Sequence, residues 1–215
     1  MIGNIVLALS FIIALIGMVR FKKMTVPFKL LAIWLVIDFL LDASNQYFID
    51  TYKNNARLSH VLCILEYIFY AVIYYHLFRS NYIKKFILVT IALFIVFFII
   101  NALFLQPFTR VFPTNVIMSA EILYVLFAIL LFKQMLQYPL QMNIMKQSVF
   151  WFNTSILFFS TTMFLNLGLM NYYGKYHSDT ITLILYFWYS IDIIFSILLG
   201  IALLNDKKES IETNG

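Results

Sequence analysis

The chain has 215 residues, of which 63% are hydrophobic and 12% charged, with one cysteine and six glycines. A soluble domain is about half apolar and a quarter charged, so this composition excludes a soluble enzyme and a nucleic-acid-binding domain; the net charge of +5 then speaks to membrane topology. A single cysteine excludes a disulfide framework and a cysteine-based metal site.

Apolar runs near residues 2–19, 29–49, 59–78, 84–105, 115–136, 149–170 and 181–204 each approach the ~20 residues that cross a ~30 Å hydrocarbon core. They predict an all-α integral membrane protein. One domain, residues 1–204, forms a seven-transmembrane-helix bundle, and residues 205–215 form a disordered cytoplasmic tail. The head of the first run, Met1-Ile2-Gly3-Asn4, carries no positive charge, and the basic cluster Arg20, Lys22 and Lys23 follows the run. A secretory signal has the opposite order, so this segment reads as a retained helix with a translocated N-terminus. Arg79, Lys84 and Lys85 follow the third run, Lys133 and Lys146 flank the connection after the fifth, and Lys207 and Lys208 follow the seventh. The other side carries only Lys53, Arg57, Arg110 and Lys175. Basic residues mark cytoplasmic loops; the expected topology is an outside N-terminus and a cytoplasmic C-terminus, in a multi-pass protein of the cytoplasmic membrane.

The polar residues inside the runs are patterned. In the second, Asp38, Asp42 and Asn45 stand at i, i+4 and i+7, one face of a helix. Ser59, Cys63, Glu66 and Tyr70 make such a stripe in the third, Ser155, Phe159, Thr162 and Asn166 in the sixth, and Leu185, Tyr189, Asp192 and Ser196 in the seventh. The fourth contributes Asn101 near its outer end, and the fifth Glu121 with Tyr124. An amide on each outgoing span (Asn45, Asn101, Asn166) is thus followed by an acid on the returning one (Glu66, Glu121, Asp192). That order suggests a lone first helix followed by three related hairpins, a parallel repeat of the kind found in transporters.

An ionised carboxylate at mid-bilayer costs ~2.5–3.5 kcal/mol on insertion scales and turns toward the bundle interior. Five acids lie within the spans, and no Lys or Arg lies at their depth. They must be protonated, hydrogen-bonded or paired with a cation from elsewhere. The plain reading is neutral acids joining helices by hydrogen bonds worth ~0.6 kcal/mol each. The reading favoured by their number is an outward-facing acidic cavity that binds a small cationic solute or protons, in a transporter or a sensor. Its ligand- or proton-binding residues are Asp38, Asp42, Asn45, Glu66, Asn101, Glu121, Asn166 and Asp192. Two rivals are a non-catalytic membrane subunit serving a partner protein and an intramembrane lipid hydrolase, in which Asp38 and Asp192 divide acid and base roles.

Other chemistry finds little support. There is no nucleophile elbow, P-loop or dinucleotide fingerprint, so no cofactor and no nucleic acid is expected, and a non-enzyme is favoured. His60 and His177, with Asp50 or Asp179, could form an external zinc site, but no HExxH spacing supports it. A retinal Schiff base needs a lysine inside the last span, whereas Lys175 and Lys207 flank it. The tripeptides Ile37-Asp38-Phe39 and Ser190-Ile191-Asp192 are similar to segments of lysoplasmalogenase-like membrane hydrolases. That resemblance would imply lipid hydrolysis, but it covers only these residues. The Gly-Asp and Ser-Asp pairs of that family are missing here, and the family has an extra span.

Overall fold

The computed structural model describes residues 2–52, 54–138, 143–173 and 178–207. Seven long helices make up nearly all of it: α1 (Ile2–Arg20), α2 (Val26–Tyr52), α3 (Ala56–Leu77), α4 (Asn81–Ile100), α5 (Thr114–Gln137), α6 (Ser148–Tyr173) and α7 (Ser178–Asn205). Short 3₁₀ turns follow α1 and precede α6, and a π-helical turn, Asn101–Leu105, extends α4. No strand occurs among the described residues. In a bilayer every backbone polar group must be satisfied within its own segment, which favours this solution.

Six of the seven helices are long and apolar enough to cross a membrane. The exception is α2. It has 27 residues, but Lys29, Asp38, Asp42, Asn45 and Asp50 dilute its hydrophobicity. The helical membrane bundle expected from composition therefore stands, with six membrane-crossing candidates among the described residues.

The packing order differs from the chain order. α1 lies between α7 and α2, α2 packs on α3, α3 touches α5, α5 packs on α6, and α6 on α7. These six helices form a closed ring. α4 is outside it, packed against α3 through the stacked rings of Phe94 and Tyr67, whose centroids lie 3.8 Å apart. Leu88, Val89, Leu93 and Val96 on its other side are exposed, as lipid-facing residues are. The α2–α3 and α6–α7 hairpins are packed pairs, whereas α4 and α5 each pack principally against other helices. The arrangement of three equivalent hairpins is therefore absent at its middle pair.

The two ends of the ring are built differently. Toward the end of α1, Gly17 lets α2 approach closely: a Cβ there would meet the Cβ of Ala32 at 3.0 Å, the small-on-small contact common between membrane helices. The same half is filled by Phe28, Tyr74, Phe127 and Phe152, all fully buried. Phe28 meets Phe152 edge-on, and Tyr74 packs on both Phe127 and Phe152. Tyr74 donates its hydroxyl hydrogen bond to Asn153 Oδ1 (3.0 Å), and Asn153 Nδ2 donates to the carbonyl of Ala128 (2.9 Å).

Just beyond α7, Asp206 is buried (3% exposed). Its carboxylate accepts hydrogen bonds from the Thr25 amide (2.8 Å), the Thr25 hydroxyl (3.1 Å) and the Ser148 hydroxyl (3.2 Å). Arg20 donates to its carbonyl oxygen (2.9 Å). One residue thus ties the end of α7 to α1 and to the beginnings of α2 and α6, and its charge meets the N-terminal end of α2. Composition alone assigned Asp206 to the tail, because an acid in a polar segment reads as solvated. Residues 208–215 lie outside the described residues.

Candidate functional site

In the half of the ring that holds the start of α1, the helices part around a cavity of about 220 Å³. Sites for drug-sized ligands run to ~300–1,000 Å³ and a water occupies ~30 Å³, so this volume suits a small solute. All six ring helices contribute to its wall, and α4 does not.

Asp38, Asp42, Glu66, Glu121 and Asp192 all line this one cavity, with Asn45 beside them. Each is placed by helical geometry. α2 presents Asp38, Asp42 and Asn45 on successive turns of one face, and α3 presents the whole of its stripe, Ser59, Cys63, Glu66 and Tyr70. α5 brings Glu121 in from its second turn. α7 supplies Asp192 from its middle, with Ser196 one turn on. Glu66 lies within electrostatic reach of the other four acids, and Asp38 of Asp42 and Asp192.

Among the described residues no hydrogen bond reaches the side chains of Asp38, Asp42, Glu66 or Asp192, and no Lys, Arg or His lines the cavity. Glu121 is 3% exposed; the buried Ser160 hydroxyl of α6 stands within reach of its carboxyl, but Oε2 is left without a hydrogen bond among the described residues, as is Asn45 Oδ1. Buried polar groups are normally hydrogen-bonded, and an orphaned acceptor of this kind calls for an explanation.

Aromatic rings make up much of the remaining wall, and polar spacing gave no warning of them. Trp34 and Tyr70 meet edge-on at 6.2 Å, and Phe159 and Phe195 lie 4.4 Å apart. Trp188 stands one turn from Asp192 on the N-terminal side, and Phe112 enters from the segment before α5. The signal was present as i, i±4 neighbours of acids, Trp34 of Asp38 and Trp188 of Asp192. On α7 the wall-facing residue is Trp188 in place of the expected Tyr189.

Two of the expected amides lie elsewhere. Asn101 is buried in the π-helical turn after α4. Its Nδ2 donates to Gln106 Oε1 (3.1 Å) and its Oδ1 accepts from Asn115 Nδ2 (3.2 Å), while Gln106 Nε2 donates to Thr114 Oγ1 (2.6 Å). This amide cluster joins α4 to the start of α5. Asn166 is buried outside the cavity wall, and neither of its amide atoms has a partner among the described residues. Of the α6 stripe only Phe159 reaches the cavity; the hydroxyls of Ser155 and Thr162 bond carbonyls of their own helix.

The described residues contain no group of three or more His, Cys, Asp and Glu side chains placed to hold a metal ion. His60 is buried, with Nε2 on the Val111 carbonyl (3.1 Å) and its ring against Phe108, whereas His177 and the side chains of Asp50 and Asp179 lie outside the described residues. No protein-family model matches the chain, and neither does any curated protein or solved structure.

Proposed function

We propose that this is a polytopic membrane protein whose acidic cavity binds a small cationic or proton-coupled solute, as a transporter or a sensor. One observation carries the reading: five carboxylates from four helices line a single cavity in whose wall no described residue is basic. Several negative charges held together in a low-dielectric wall repel one another strongly unless protons or a cation neutralise them. Helix gluing is a weaker account. It needs each acid to bond a neighbouring helix, and among the described residues only Glu121, beside the Ser160 hydroxyl of α6, has such a donor within reach.

In this reading α2 crosses the membrane as a seventh span, its polar stripe shielded by the ring and its neighbours α1 and α3. The N-terminus is outside and the C-terminus cytoplasmic, because Arg20, Lys22, Lys23 and Lys207 gather at one end and mark it as the cytoplasmic one. The cavity then opens outward, while the aromatic packing around Tyr74 closes the inner half. Asp38, Asp42, Glu66, Glu121 and Asp192 bind the proton or cation, and Asn45 orients it.

The test is a thermal-stability screen of the detergent-purified chain against metal cations, amines and lysolipids, run beside a triple variant, Glu66→Gln with Glu121→Gln and Asp192→Asn. A binder stabilises the folded state by RT ln(1 + [L]/Kd), ~2.7 kcal/mol at a hundredfold excess over Kd. Stabilisation by a soluble cation, lost in the triple variant, is the expected result. Stabilisation by lysolipid alone would move the assignment to lipid hydrolysis, which the shared placement of Asp38 and Asp192 allows. A stoichiometric second chain on purification, with no ligand response, would move it to a partner-dependent subunit.

A further inference from the structure

The same cavity narrows the chemistry of its ligand, on the understanding that the cavity is a cation site at all. We infer that it is built for a linear organic diamine or polyamine.

Three observations converge. First, the unsatisfied groups of the cavity wall, among the described residues, are acceptors. Glu121, 3% exposed and lining the cavity, has Oε2 without a partner among the described residues, and Asn45 Oδ1 is in the same state. A carboxylate oxygen and an amide carbonyl both require a donor. A primary or secondary ammonium supplies two or three N–H donors; a quaternary ammonium supplies none. Second, the acids are spread along the cavity and do not converge on a point. No set of three is placed to hold a metal ion among the described residues, while Asp38 and Asp42 stand on successive turns of α2, ~6 Å apart along its axis. Three or four methylenes separate two ammonium groups by about that length, so a linear amine matches this rise with one charge at each level. Third, the rest of the wall is apolar and aromatic. Trp34, Tyr70, Phe159 and Phe195 offer flat faces for methylene segments, and an ammonium beside such a face gains a cation–π attraction. A bare metal ion makes no use of those rings, and an aliphatic spacer does.

More than one positive charge is also what the electrostatics ask for. Five carboxylates along one cavity, with Glu66 in electrostatic reach of the other four, are poorly balanced by one monovalent cation. A di- or triamine brings matching charge in a single molecule, and its slender shape suits a cavity of about 220 Å³.

The experiment uses the full chain in detergent or nanodiscs, with putrescine and spermidine as probes, choline and tetramethylammonium as quaternary comparators, n-butylamine as a single-charge comparator, and Ca²⁺, Mg²⁺ and Mn²⁺ as metals. Calorimetric titration is expected to show affinity rising at least tenfold from n-butylamine to putrescine, and no measurable binding of tetramethylammonium. Glu121→Gln and, separately, the more accessible Asp42→Asn are each expected to weaken putrescine at least tenfold; the wild-type ligand series stands by itself should either variant fold poorly. Equal affinity for n-butylamine and putrescine, or preference for choline or a metal ion, would overturn the polyamine assignment and leave the cation cavity standing. Binding of no cation of any class would overturn both.

Discussion

Asp206 and Glu121 are equally buried, each 3% exposed, yet they sit in opposite situations. Asp206 accepts three hydrogen bonds that tie α7 to α2 and α6; Glu121 keeps an oxygen with no described partner, in a cavity wall shared with four more acids. Burial of a carboxylate is therefore not in itself a sign of function. What distinguishes the two is whether the fold supplies donors. Where it does so fully, the charge holds helices together; where an oxygen is left over among the described residues, that group is the one to test for binding.

The contrast is broken most severely at the satisfied end. Asp206→Ala leaves Thr25 and Ser148 without their acceptor, and hydrogen bonds to a charged group are worth ~1.5–3 kcal/mol each but not additively. A loss of about 3 kcal/mol is expected, measured by thermal unfolding in detergent. A loss below about 1 kcal/mol would mean that Asp206 does not close the ring. Gly17→Val comes next: the added methyls run into Ala32, and overpacking costs ~1–3 kcal/mol. Gly168→Ala, with no atom within 4 Å of the new Cβ, should be neutral or gain up to ~1 kcal/mol in helix propensity. Asn101→Ala should cost about 1 kcal/mol by loosening the α4–α5 turn, while leaving any ligand response intact; loss of that response would bring Asn101 back into the site.

The smallest expected change sharpens the comparison best. Glu121→Gln should alter stability of the ligand-free protein by less than about 1 kcal/mol, in either direction, because no described hydrogen bond to Oε2 is lost and a buried acid becomes neutral. The same substitution should cut ligand stabilisation by at least ~1.4 kcal/mol, the tenfold loss of affinity expected for putrescine. A destabilisation on the scale of Asp206→Ala would instead show Glu121 to be a structural group.

Much of the site could be read from spacing. The stripes on α2 and α3 came through residue by residue, because a carboxylate in an apolar helix has few tolerable directions to face. The α6 stripe failed for a local reason: Ser155 and Thr162 satisfy themselves on their own backbone, so a hydroxyl marks no face, whereas an acid does. The exclusion of α4 from the ring was illegible, since lipid and protein interior both accept Leu, Val, Ile and Phe. In a soluble protein the solvent face would have betrayed the helix's position. Asn101 was misread along with it, as its side chain bonds within a turn that only the folded chain assembles.

The wall position of Cys63 has a practical consequence. It is the only cysteine in the chain, and it lies between Ser59 and Glu66 on the cavity face of α3. The thiol is only 3% exposed, so the unmodified protein carries a single-site reporter whose labelling depends on how far the cavity opens. Maleimides or methanethiosulfonates of graded size and charge, applied from one side of a sealed vesicle, would measure how wide the entrance is and which compartment it faces. A bound ligand would slow that labelling without any engineered residue in the way.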